Sequence, residues 1–109
     1  MTVQLHIPAL SINECWQGKR FKTKKYKDYE KQILLMLPRY EIPEGKLAVK
    51  IEAGFQSAAS DLDNIVKPIL DILQKRYGFN DNRIYSLELE KKVVGKGSGY
   101  FNFNIEGYT

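Results

Sequence analysis

A chain of 109 residues has room for one folded domain of ordinary size and not for two. With 43% hydrophobic, 28% charged and 12% aromatic residues it is neither disordered nor low-complexity, and no apolar run approaches the ~20 residues of a membrane-spanning helix. A single cysteine, Cys15, cannot close an internal disulfide. One histidine, His6, leaves no Cys/His zinc site, so any metal must be held by oxygen. The opening MTVQLHIPAL lacks the basic start and long apolar stretch of a secretion signal, and a soluble, cytoplasmic protein is expected.

The net charge of +4 is local. Residues 19–31 hold Lys19, Arg20, Lys22, Lys24, Lys25, Lys27 and Lys31 against Asp28 and Glu30, a +5 block that leaves −1 for the remainder. A basic block beside a near-neutral body is the footprint of a protein that meets phosphate backbones. A solvated lysine-rich helix face produces the same pattern.

In chain order, Val3, Leu5 and Ile7 alternate with polar residues and predict a short strand ending at Pro8. Tyr26, Tyr29, Ile33 and Leu37 recur every three or four residues and predict a helix over 23–37, stopped by Pro38. That spacing assigns the tyrosines to the core in preference to base stacking, and Cys15 and Trp16 to loop packing. Leu47, Val49, Ile51, Ala53 and Phe55 predict a second strand. A second helix is expected over 62–77, on the stripe Leu62, Ile65, Ile69 and Leu73, with Gly78 as its stop. Pro68 is awkward there, requiring a kinked first turn or a later start. Residues 84–94 and 100–105 read as two further strands, and Gly95, Gly97 and Gly99 between them suit a hairpin connection. The order strand-helix-strand-helix-strand-strand implies a single α+β domain, its helices packed on a mixed or antiparallel sheet.

The chemistry concentrates in residues 60–67, SDLDNIVK. If Asp61 lies in extended chain and Asp63 opens the helix, the two carboxylates can converge. Converging carboxylates need a proton or a cation, and hard oxygen ligands of this kind favour Mg²⁺, which retains waters and accepts substrate phosphate. This is the setting of metal-assisted phosphodiester hydrolysis. Lys67, one turn after Asp63, can steady charge developing on a phosphate. An ordinary helix start uses the same residues as caps and a surface pair. Asp81, in the turn GFNDNR, is a third candidate acid, although Asn and Asp also favour turns for backbone reasons.

Together, Asp61, Leu62, Asp63, Asn64 and Lys67, then a helix, then Asp81 after Gly78-Phe79, resemble the RusA family of Holliday junction resolvases. Pro8, Ser11, Asn13, Trp16 and Arg20 resemble the family's opening segment more loosely. The resemblance implies one RusA-like endonuclease domain over residues 1–109. It implies a homodimeric, Mg²⁺-dependent endonuclease, able to use Mn²⁺, that resolves four-way DNA junctions in recombination and repair. Asp61, Asp63 and Asp81 would be the metal ligands and Lys67 a catalytic helper, with no small-molecule cofactor and no membrane partner. Lys19, Arg20, Lys22, Lys24, Lys25, Lys27 and Lys96 are the candidate DNA contacts. The chain departs from the family at Asn80, where an acid is common, and at residues 57–60, where a basic run is common. A 62–77 helix is roughly 24 Å long at 1.5 Å per residue, which places Asp63 and Asp81 poorly for sharing an ion within one subunit, and a site shared across a twofold dimer is the hypothesis that answers this. A non-catalytic basic nucleic-acid-binding module is the competing reading.

Overall fold

The computed structural model describes residues 2–11, 14–17, 21–59 and 61–109. In chain order the elements are β1 (Val3–Leu5), β2 (Trp16–Gln17), β3 (Phe21–Lys22), α1 (Lys24–Met36), β4 (Leu47–Phe55), α2 (Val66–Tyr77), β5 (Ile84–Val93) and β6 (Tyr100–Gly107). Short 3₁₀ turns stand at Leu62–Ile65 and Asp81–Arg83. The α+β class and the element order follow the sequence pattern, with one addition: β2 and β3 pair as a small antiparallel ribbon where a plain loop was expected.

The main sheet has the order β1-β6-β4-β5 and is mixed. β4 and β5 run parallel and are joined through α2 as a βαβ unit, while β6 is antiparallel to both β4 and β1. The expected hairpin between the last two strands is therefore absent: β4 lies between them. Its inward residues Leu47, Val49, Ile51 and Ala53 are all buried, and the central place gives this most apolar strand a partner on either side. The segment after β5 instead carries the chain past the end of β4, beginning with the Val94 N–H donating to the Phe55 carbonyl (2.7 Å).

Thr23 caps α1 by accepting from the Tyr26 N–H, and Tyr26, Ile33 and Leu37 are buried as their spacing predicts. In the second helical segment only residues from Val66 onward are α-helical. Pro68 is thus the third residue of α2, where a backbone N–H has no intrahelical acceptor to lose. The later start is the resolution the chain adopts. Ile65, Ile69, Ile72 and Leu73 join Tyr26, Ile33, Phe101, Phe103 and the β4 residues in one core. The opposite sheet face is polar, bearing Lys50, Glu52, Glu88, Glu90, Asn102 and Asn104.

Candidate active site

Asp61 is extended (φ −90°, ψ 122°), with its carbonyl accepting from the Asn64 N–H (3.3 Å) and its Oδ2 from Asn64 Nδ2 (3.4 Å). The 3₁₀ turn that follows buries Ile65 and leaves Asp63 exposed. From there the helical repeat brings residues 63, 66, 67, 70 and 71 onto one stripe. Asp63, Val66, Lys67, Leu70 and Asp71, with Asp81 and Leu89 of β5, line an open depression of about 490 Å³.

Asp81 reaches this depression because the chain reverses at the end of α2. Gly78 adopts the left-handed conformation (φ 72°) that glycine enters without a Cβ penalty, and its N–H closes the helix on the Gln74 carbonyl (2.8 Å). Gln74 Oε1 then accepts from the Asp81 N–H (2.9 Å), while Asn80 Oδ1 accepts from the Asn82 N–H (3.0 Å). Arg83 anchors the far side of the turn, donating to the carbonyls of Gly45 (2.9 Å) and Pro43. Asp63 and Asp81, expected to be poorly placed to share an ion within one chain, both line this one depression. Asp61 is the acid set apart, opening with Ala9, Ser11, Glu14 and Asn64 onto a separate depression of about 310 Å³. Among the described residues no three His, Cys, Asp or Glu side chains are gathered to hold a metal ion.

The family model for Endodeoxyribonuclease RusA matches residues 12–99, from the β2–β3 ribbon through α1, both acidic turns and β5. The chain belongs to the RusA endodeoxyribonuclease family. Comparison with individual curated proteins finds no match. The depression lies wholly within the RusA-matched stretch, and its donors suit the metal that RusA resemblance implies. Mg²⁺ is commonly held by one or two carboxylates together with waters and substrate phosphate, and Asp63 and Asp81 offer two exposed carboxylates in one open site.

The basic side chains divide into those with an acidic partner and those without one among the described residues. Lys22 Nζ lies 3.1 Å from the buried Glu30 and over the Tyr26 ring, and Lys75 of α2 binds the other Glu30 oxygen (2.6 Å). Burial raises the Glu30 pKa, but the hydrogen bonds from Lys75 and Lys22 outweigh it and hold the carboxyl below its ordinary value. Lys24 pairs with Asp28 (3.4 Å) and Lys25 with Glu14. Lys27 and Lys31 are exposed and have no acidic partner among the described residues, and Lys96 is exposed in the turn before β6. Lys19 and Arg20 lie outside the described residues. Lys91 donates to the Ala58 carbonyl (2.7 Å), tying β5 to the loop that precedes Asp61. Cys15 is fully buried, and burial, reinforced by the Glu14 and Asp71 charges, pushes its thiol up to about 11, which suits packing and not nucleophilic chemistry. Asp71 and Gln74 were not singled out from sequence. Asp71 carried a signal, since it continues the four-residue spacing of Asp63 and Lys67. Gln74 carried none, because its partner lies in the next turn.

Proposed function

We propose that this protein is a Mg²⁺-dependent, structure-specific endodeoxyribonuclease that resolves four-way DNA junctions by paired phosphodiester hydrolysis in recombination and repair. The observation that carries this reading is the meeting of Asp63, Lys67 and Asp81 in one open depression of a RusA-family chain. Asp63 and Asp81, which line the depression, would hold Mg²⁺, and a bound ion supplies charge stabilisation at phosphate oxygens and a more acidic water. Lys67 lines the same depression, where its ammonium would offset charge on the non-bridging oxygens of a phosphate laid across the site. Val66, Leu70 and Leu89 supply the apolar part of the depression's lining. Lys19, Arg20, Lys24, Lys25, Lys27 and Lys96 are assigned to the DNA arms. Lys22 is bound to Glu30 and ties β3 to α1.

A homodimer belongs to this reading, because two opposed nicks need two sites. β5 supports it. The strand is ten residues long, lies at the sheet edge and exposes Tyr85, Leu87 and Val93. Its acids Glu88 and Glu90 precede its bases Lys91 and Lys92, so antiparallel pairing of two copies sets the acidic half of one strand against the basic half of the other.

The test is incubation of the purified protein with a synthetic four-way junction and MgCl₂, alongside Asp63→Asn and Asp81→Asn. Wild type should nick opposed strands. Each variant should lose about 100-fold or more in rate while still binding the junction. Binding without incision by folded wild-type protein would favour the non-catalytic module, and a panel of forks and flaps defines the substrate class.

A further inference from the structure

Asp71 lines the same depression as Asp63, Lys67 and Asp81, yet it has no part in the function proposed above. Its carboxylate lies 3.5 Å from Lys67 Nζ through both oxygens. Residues 63, 67 and 71 are spaced by four along one stripe, so Lys67 has an acid one turn away on either side. Among the described residues, Asp71 is the acid at ion-pair distance from Lys67. It is also the better-fixed partner, with its side chain 35% exposed against 62% for Lys67. An exposed pair of this type, with the lysine preceding the acid, adds little to folding. Its consequence is where the ammonium resides. A lysine resting on Asp63 would compete directly with a divalent cation for that carboxylate.

We propose that Asp71 is a positioning residue that holds the Lys67 ammonium away from Asp63, keeping the Asp63 and Asp81 carboxylates open to a divalent cation and the ammonium presented to DNA phosphate. This inference rests on the reading of Asp63 and Asp81 as the cation-holding pair. Asp71 itself touches neither the cation nor the phosphate in this arrangement.

The experiment is Mn²⁺ binding to the DNA-free chain by calorimetry, together with single-turnover incision of a four-way junction. The proteins are wild type, Asp71→Asn, Lys67→Met, the double variant and Asp71→Glu. Asp71→Asn should weaken Mn²⁺ binding about threefold or more and slow incision by a similar factor, with junction affinity unchanged or slightly tighter because one negative charge is gone. With Lys67→Met in place, Asp71→Asn should change Mn²⁺ affinity by less than about twofold, and Asp71→Glu should keep wild-type affinity within the same margin. Equal Mn²⁺ affinity in wild type and Asp71→Asn overturns the inference. So does an equal loss with and without Lys67, which would make Asp71 act on the ion directly. If Asp63→Asn binds Mn²⁺ and cuts like wild type, the functional reading itself falls and takes this inference with it. A null result confined to Asp71 removes the inference alone.

Discussion

Glu30 shows how a charged residue serves the core of this fold. It is buried on the otherwise apolar side of α1, where an unpaired carboxylate would be costly, and it is tolerated because Lys22 and Lys75 each occupy one oxygen. The basic block is thereby tied to α2 by one of its own members. Replacing Glu30 with Gln should cost about 1–2 kcal/mol at pH 7, read from urea unfolding, since the two lysines lose their shared partner. The pH dependence follows from the lowered pKa. Stabilisation by this carboxylate is complete above the ordinary glutamate value of about 4.3 and is lost as pH falls through the lower folded-state value. The unfolding midpoints of wild type and Glu30→Gln should therefore separate at neutral pH and converge below about pH 4. Sequence alone marked Glu30 only as an acid within a lysine run. Its partner Lys75 lies forty-five positions away, a distance no local pattern can bridge.

Among the elements, α2 and the two turns that bound it make the site. Its apolar stripe and its glycine stop were legible because burial and the left-handed cap act locally. The late start at Val66 was half legible: Pro68 demanded an adjustment, and the 3₁₀ turn supplies one without losing a backbone hydrogen bond. Gln74 holds Asp81 in place by accepting its N–H, and donates to the Leu70 carbonyl (3.2 Å) with the same side chain. Gln74→Ala should lower stability by no more than about 1 kcal/mol, because the turn is exposed, yet slow junction incision about threefold to tenfold by loosening Asp81. Thermal unfolding and single-turnover rates measured on the same samples check both halves. The missed hairpin belongs at this scale as well. Gly95, Gly97 and Gly99 permit a tight turn, but turn chemistry does not decide whether the strands on either side become neighbours.

For the whole molecule, the position of β5 at the sheet edge and the uneven charge carry the predictions about behaviour in solution. Val93→Lys adds a positive charge to that edge without touching the core, and it should shift the protein toward monomer in analytical ultracentrifugation while leaving its circular dichroism unchanged. An unchanged mass would count against the proposed dimer through β5. Junction affinity should fall steeply with salt, by about tenfold or more between 50 and 200 mM, because counterion release drives phosphate contacts. Substituting Lys27 should make that slope shallower by about one unit.

The α+β class and the positions of both helices and all four main strands were available from the chain itself, as was the choice of Asp61, Asp63, Lys67 and Asp81 as candidates. Periodicity, caps and motif spacing operate within a dozen residues, and those signals survive in one dimension. Tertiary structure alone decided that β4 separates β5 from β6 and that Asp63 and Asp81 line one depression in a single chain while Asp61 faces another. Each of those outcomes depends on which segments compete successfully for the central place in the sheet, and that competition is settled by the burial of all the segments together.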